Sequence, residues 1–310
     1  MRILFIFAGQ GYQNTTLFDF FQQDDEANGL LRTFSSLAQL DLLSQPLPID
    51  NPRRVQIIIG CYQLILFARI KPLLTNYQVE LAGYSLGEAS AFLASINASP
   101  ERIIELLDHR SQLMNTLVSE TEGYDLITIK GEFDRETIQK LIAEYGCSIA
   151  IINSPQHLVV GGKCTDLKRL VSRLSTEGLR LIKFLNIQLP SHTPFYKQAT
   201  VEFQQFLNGN FPNDVMQYPI ISPLKLRKIY KAEEERDLLG LELQECLDWF
   251  NVCNLIKEYQ YDWIVDLGPG DSLSKILTAS GKTLTAELLT ASRYHRISGF
   301  LQAFLKILES

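Results

Sequence analysis

The sequence predicts an α/β protein that carries a smaller β-α-β-β-α-β unit within it. Three observations predict this. Apolar runs of strand type at residues 3–7, 79–82 and 263–267 each lead into a glycine-containing turn, as strands of an open α/β sheet do at their carboxyl ends. The middle turn is Gly83-Tyr84-Ser85-Leu86-Gly87, and the small-residue helical pattern Ala89-Ser90-Ala91-Phe92-Leu93-Ala94 follows it. From about residue 122 the chain changes to short strands and helices in the order of a split βαβ unit.

Strand, sharp turn and helix around Ser85 make an elbow of the kind that holds a serine in a strained backbone conformation, with glycines leaving room for close approach. The hydroxyl then sits at a helix N-terminus, where free N–H groups and the dipole favour an oxyanion. With 18 glycines in the chain a chance Gly-x-Ser-x-Gly is the competing reading. The flanking strand and helix set it aside.

Composition narrows the class. The chain has 310 residues, 46% hydrophobic and 21% charged, and 29 basic against 35 acidic side chains give −6. That is ordinary globular composition, with no basic field to recruit nucleic acid. Five cysteines, an odd number without a Cys-x-x-Cys pair, fit a reduced compartment better than disulfides or zinc. The apolar N-terminus is too short for a signal peptide, and the window 55–70 is interrupted by Gln56 and Gln63. It reads as a buried helix. A cytoplasmic protein with no membrane span is expected.

Taken in order, strand 3–7 runs into Ala8-Gly9-Gln10-Gly11, a loop without the further glycine and acidic partner of a dinucleotide site. It can instead bring N–H groups beside the elbow. Residues 12–50 show only weak helical periodicity. Asn51-Pro52 starts a helix to about Leu74, the elbow helix ends near Asn97, and Ser99-Pro100 caps another to about Ser119. Within 122–188 the spacing predicts strands 126–130, 148–153, 157–160 and 179–185, with helices 135–145 and 166–176. That is the ferredoxin-like order, bounded by Gly123 and Pro190-Ser191-His192. Helices 194–208 and 238–258 follow, the latter after the charged run Lys225–Arg236, before strand 263–267 meets Gly268-Pro269-Gly270.

A serine nucleophile needs a base. Of four histidines, His109 and His157 fall inside predicted elements and His295 in a charged C-terminal segment, whereas His192 sits in the stiff loop Pro190-Ser191-His192-Thr193-Pro194. His192 is the candidate. Arg110, with Glu105 and Asp108 near it, is by spacing alone as readily a surface helix arginine as a ligand.

Six blocks occur in series: Phe7-Ala8-Gly9-Gln10-Gly11, Gly83-Tyr84-Ser85-Leu86-Gly87-Glu88, Arg110 with Leu113-Met114, Asn153-Ser154-Pro155, Pro190-Ser191-His192 and Gly268-Pro269-Gly270. In that order they resemble malonyl-CoA:acyl-carrier-protein transacylases over nearly the whole chain. The resemblance implies a large α/β-hydrolase-like acyltransferase domain, residues 1–121 and 189–310, with an inserted small ferredoxin-like subdomain, 122–188. It implies that Ser85 is acylated, that His192 is its base, and that the N–H groups of Gln10 and Leu86 form the oxyanion hole. Arg110 would hold the malonyl carboxylate bidentately, and Asn153 would be a further substrate contact. Malonyl-CoA is the implied donor and the phosphopantetheine-type thiol of an acyl carrier protein the acceptor. The CoA thioester is substrate, and no metal or other cofactor is implied.

Two departures stand out. The family usually has His before the nucleophile; Tyr84 in its place resembles the epsilon subunit of malonate decarboxylase, as does the tail Arg296-Ile297-Ser298-Gly299-Phe300. Other decarboxylase subunits are then expected partners. An ungapped count back from Gly268 puts Asp248 where the family has a Gln whose backbone carbonyl supports the histidine, so Asp248 is the expected histidine-orienting residue, by carbonyl or carboxylate. Alternatives stay open: transacylases of fatty-acid synthesis, trans-acting polyketide acyltransferases, a serine thioesterase or hydrolase, or a silent scaffold subunit, which the Ser85–His192 pair argues against. The basic runs Lys225–Lys228 and Lys163–Lys183, the second including Lys168, Arg169, Arg173 and Arg180, read first as solvated faces and only secondarily as a carrier-docking surface.

Overall fold

The computed structural model describes every residue except 13, 117–122, 176–178, 180, 281–282 and 310. Its first third runs β1 (Arg2–Phe7), α1 (Asp25–Ala38), α2 (Pro52–Ile70), β2 (Gln78–Gly83), α3 (Leu86–Ser95) and α4 (Pro100–Met114). Then come β3 (Tyr124–Lys130), α5 (Arg135–Glu144), β4 (Ser148–Ser154), β5 (His157–Lys163), α6 (Cys164–Leu174) and β6 (Leu181–Phe184). The last third is α7 (Lys197–Asn210), β7 (Ile220–Ser222), β8 (Arg227–Ile229), α8 (Ala232–Leu241) and α9 (Trp249–Glu258). It closes with β9 (Trp263–Asp266), α10 (Ser272–Ala279), β10 (Glu287–Thr290) and α11 (Ile297–Glu309). Ser119 and Arg180, in the predicted helix end and basic run, lie outside the described residues.

The main sheet has the order β10-β9-β1-β2-β7-β8 and is parallel except for β8, which pairs antiparallel with β7. Strand β1 shows why it is central. Ile3, Phe5 and Phe7 point into one core with α2, α4 and α11, and Leu4 and Ile6 into another with α9 and α10. Period-two alternation with both faces covered produces the unbroken apolar run read in the sequence. The second sheet is antiparallel, in the order β4-β5-β3-β6, and packs on α5 and α6. Ile151 and Val159 of that sheet join the core that holds Ile6 and Ala82, so the two sheets meet beside the carboxyl ends of β1 and β2.

Local chemistry explains the elements the sequence signalled and those it hid. Asn51 caps α2, accepting from the Arg53 N–H at 2.9 Å, with Pro52 in the first turn. The helix 52–73 is long and apolar enough for a membrane span, with a mean hydropathy of 1.3, yet 78% of that window is buried inside the protein. Residues 12–50 hold more order than their polarity suggests. Asp24 caps α1 through the Ala27 N–H at 2.8 Å, and Phe18, Phe20 and Phe21 are buried in a 3₁₀ turn. The predicted helix 238–258 is two helices. Glu242 and Leu243 direct their carbonyls to His192 instead of continuing the ladder, and Asp248 starts α9 as its N-cap. Strands β7, β8 and β10, three or four residues each, had too short a pattern to read.

Two glycines set how closely the elbow packs, Gly87 against β1 and Gly83 against the start of α3. A Cβ on Gly87 would lie 1.9 Å from the Phe7 carbonyl oxygen, and one on Gly83 would lie 2.1 Å from the Glu88 nitrogen. Backbone meets backbone there, and neither side can rotate away. Gly87→Ala should therefore cost at least about 3 kcal/mol or prevent folding. Gly29→Ala, in open space on α1, should gain about 0.5–1 kcal/mol from helix propensity. Thermal unfolding midpoints of the two variants check this; equal shifts would contradict the packing account.

Candidate active site

Ser85 sits between β2 and α3 with φ +58° and ψ −116°, a conformation that costs a non-glycine residue of order 1–3 kcal/mol. Contacts on both sides hold it there. The Tyr84 N–H donates to the Phe7 carbonyl at 3.0 Å, and the Gly87 N–H donates to the Tyr84 carbonyl at 3.0 Å. The loop after β1 comes close because Gly9 has no side chain: a Cβ there would be 2.6 Å from the Tyr84 carbonyl oxygen. Gln10, next in that loop, and Leu86, first residue of α3, line one cavity with Ser85.

His192 reaches this serine from the loop after the second sheet. Its Nε2 lies 2.7 Å from Ser85 Oγ. Its Nδ1 lies 2.6 Å from the carbonyl oxygen of Glu242, and its backbone N–H donates to the Leu243 carbonyl at 2.8 Å. A carbonyl can only accept, so Nδ1 carries the proton and Nε2 is left to accept from the serine hydroxyl. Burial, aided by the Arg110 charge, pushes the imidazole down to about 3. It is neutral, and basic at the right nitrogen, throughout the ordinary pH range. The other histidines are placed elsewhere: His109 stacks on Phe206, His157 pairs with Thr128 at 3.0 Å, and His295 is exposed.

The cavity is small, about 80 Å³, and Leu126, Ile151 and Val159 of the second sheet close it over the serine. Arg110 projects into it from α4 and is 1% exposed. Its Nη1 donates to Gln56 Oε1 at 2.7 Å, while Nε and Nη2 have no partner among the described residues. A buried guanidinium edge with two unfilled donors is costly, about 1–3 kcal/mol per donor. It is also the edge that receives a carboxylate bidentately. This settles the placement of Arg110, which is no surface residue.

The two glutamines that interrupt α2 are site residues in their own right, and their signal was in the sequence. They lie seven residues apart, on one face of an otherwise apolar helix. Gln56 orients Arg110. Gln63, wholly buried, donates from Nε2 to the Ala8 carbonyl at 2.7 Å and to the Gly268 carbonyl at 2.6 Å. It ties the two glycine loops together behind Gln10. Asp266, also buried, accepts from the Gly268 N–H at 3.0 Å and the Ser274 hydroxyl at 2.7 Å, which shapes the Gly-Pro-Gly loop.

Two expected site residues are placed differently. Asp248 does not orient His192: its carboxylate accepts from the Asn251 N–H at 3.0 Å and side-chain amide at 2.7 Å. The carbonyl that supports the imidazole belongs to Glu242, six positions earlier, because the chain breaks its helix there. Asn153 accepts from the Tyr84 hydroxyl at 3.2 Å and is not among the cavity walls. Tyr84 also packs edge-on against Trp249 of α9 at 5.2 Å, and through Asn153 of β4 the residue before the nucleophile bridges the two sheets. In the first basic run, Arg227 pairs with Glu234, and Lys228 pairs with Glu80 at 2.8 Å. Those charges are engaged within the fold.

No protein-family model matches the chain. Known proteins do. A solved malonyl-CoA:acyl carrier protein transacylase of Helicobacter pylori superposes with a TM-score of 0.89 at 20% identity, covering 100% of this chain and 99% of that one. The fold is the transacylase fold. A malonyl-transacylase solved in complex with its type II polyketide acyl-carrier protein gives a TM-score of 0.87 at 20% identity, covering 99% and 100% of the two chains. In sequence the chain is 24% identical over 287 residues to the polyketide-biosynthesis malonyl CoA-acyl carrier protein transacylase of Bacillus subtilis, 89% of this chain and 96% of that protein.

Because Asp248 acts as a helix cap, Asp248→Ala should lower stability by about 1 kcal/mol and leave the rate of serine acylation within about twofold. Urea unfolding alongside single-turnover acylation checks both. A loss of several decades in rate with the fold intact would return the carboxylate to His192.

Proposed function

We propose that this chain is a ping-pong acyltransferase that carries a malonyl group from malonyl-CoA, through an ester on Ser85, to the thiol of an acyl carrier protein. The observation that carries the reading is Arg110, which lines the cavity that holds Ser85 and His192 and whose Nε and Nη2 have no partner among the described residues. A serine hydrolase would share the dyad but has no use for a buried, half-empty guanidinium. The transacylase similarity in fold and sequence supports the same reading.

In this mechanism His192 Nε2 takes the Ser85 proton as Oγ attacks the thioester carbonyl, and the Glu242 carbonyl supports the imidazolium through Nδ1–H. The N–H groups of Gln10 and Leu86 receive the oxyanion. As the tetrahedral intermediate collapses, the C–S bond breaks and His192 returns the proton to the CoA thiolate. The carrier thiol then attacks the ester, His192 accepts its proton, and Ser85 recovers it as the C–O bond breaks. The second sheet, read as an inserted subdomain over 122–188, closes over the ester and limits access of water.

For the acceptor we favour the carrier of malonate decarboxylase, on the strength of Tyr84 and the 296–300 segment; carriers of polyketide or fatty-acid synthesis are the alternatives, and relative charging rates of the three separate them. The chemistry has its own test. Malonyl-CoA should add one malonyl mass to the Ser85 peptide and none to Ser85→Ala. Arg110→Ala should lose about two to three decades in malonyl kcat/KM while acetyl transfer holds or rises. Label on Ser85→Ala, or equal losses for both acyl groups, would contradict these assignments.

A further inference from the structure

Glu242 supplies more than the carbonyl that holds His192. Its side chain turns into the interior, 1% exposed, and neither carboxyl oxygen has a hydrogen-bond partner among the described residues. The charged groups that face it are Arg110 from α4 and Glu235 from α8, with Glu88 from α3 facing both glutamates. Glu88 and Glu235 are buried as fully. Of the three acids, Glu242 is the one whose charge acts on Arg110, with the Tyr196 phenol beside it.

Charge counting constrains this cluster. One guanidinium cannot balance two anions in a low-dielectric space, since like charges a few ångströms apart there disfavour joint ionisation. The acyl carboxylate that Arg110 is read to bind would be one such anion, and an ionised Glu242 would be the other. We propose that the Glu242 side chain is a specificity-determining group: protonated, it leaves Arg110 free for the acyl carboxylate; ionised, it satisfies the guanidinium and excludes that carboxylate. The proposal rests on the reading of Arg110 as the carboxylate anchor.

A pH signature follows. Burial pushes the Glu242 carboxyl up to about 8, with Glu235 raising it and Arg110 opposing. Glu242 is therefore protonated below about pH 8 and loses its proton above it, and a bound acyl carboxylate holds that proton more tightly still. Malonyl acylation should be favoured below about pH 8 and fall by about tenfold per unit above it. Acetyl acylation, which brings no carboxylate, should lack this limb. His192 is already neutral across that range and adds nothing to it.

The experiment measures kcat/KM for self-acylation by malonyl-CoA and acetyl-CoA between pH 6.5 and 9.5, in wild type, Glu242→Gln, Glu235→Gln and Arg110→Ala. Acetyl transfer controls for damage to His192, so the readout is the malonyl-to-acetyl ratio. In wild type the ratio should fall above about pH 8. In Glu242→Gln it should be flat and at pH 9.5 at least tenfold above wild type, while Glu235→Gln keeps the limb, moved to lower pH. A limb that survives Glu242→Gln, or a wild-type ratio independent of pH, overturns the proposal. If Arg110→Ala leaves the ratio unchanged at every pH, the anchor reading fails instead. Should Glu242→Gln not fold, proton uptake by wild type at pH 8.5 decides: malonyl acylation should take up more protons per CoA released than acetyl acylation, and equal uptake overturns the proposal.

Discussion

A single hydrogen bond of 2.7 Å, between Ser85 Oγ and His192 Nε2, joins two residues 107 positions apart, and much of the architecture serves to hold it. Each end has its own clamp. Ser85 is fixed by the strained elbow between β2 and α3, seated on Phe7 through Gly87. His192 is fixed by two consecutive carbonyls, Glu242 to its ring and Leu243 to its backbone. The segment that offers those carbonyls is pinned in turn: the Leu247 N–H donates to the Ala150 carbonyl at 3.0 Å, and the Ile152 N–H donates to the Leu247 carbonyl at 2.9 Å. The break between α8 and α9 is thus built into the site, where an unbroken helix would have consumed the carbonyls that the imidazole needs.

Behind this bond the interior holds a cluster of charged side chains. Arg110, Glu242, Glu235 and Glu88 are all nearly inaccessible, and charges in such surroundings stay only where partners or protonation accommodate them. Gln56 accepts from one guanidinium nitrogen, and the other two have no partner among the described residues. A substrate carboxylate completing that pair would recover a desolvation cost the free protein already bears, which is how binding energy can be directed to one acyl class. The roof of Leu126, Ile151 and Val159 adds apolar closure, which strengthens every polar contact beneath it.

Much of this was legible in the sequence, and particular residues show why the rest was not. Ser85, His192, Gln10 and Leu86 lie in local patterns whose geometry is set by neighbours: an elbow, a loop stiffened by prolines, a glycine turn. The main parallel strands were readable because burial on both faces leaves continuous apolar runs. Glu242 was hidden because its role is a matter of carbonyl direction at a helix break, and an ungapped count landed on Asp248 instead. Asp248 itself had a readable capping signal, an acid three residues before Asn251 at the head of an apolar helix. Gln56 and Gln63 were visible as interruptions in an apolar window, yet their partners, Arg110 and the two glycine loops, come from distant segments. Strands β7, β8 and β10 owe their existence to pairing with neighbours, which short segments do not announce.

In the proposed mechanism the two unpaired nitrogens of Arg110 receive the acyl carboxylate while the acyl carbonyl carbon is bonded to Ser85. The structure of the enzyme trapped after reaction with malonyl-CoA tests this most directly. The ester should lie on Ser85 Oγ, with the free carboxylate within hydrogen-bonding distance, about 2.7–2.9 Å, of Arg110 Nε and Nη2. An ester on Ser85 whose carboxylate points away from Arg110, or acylation at another residue, would contradict it.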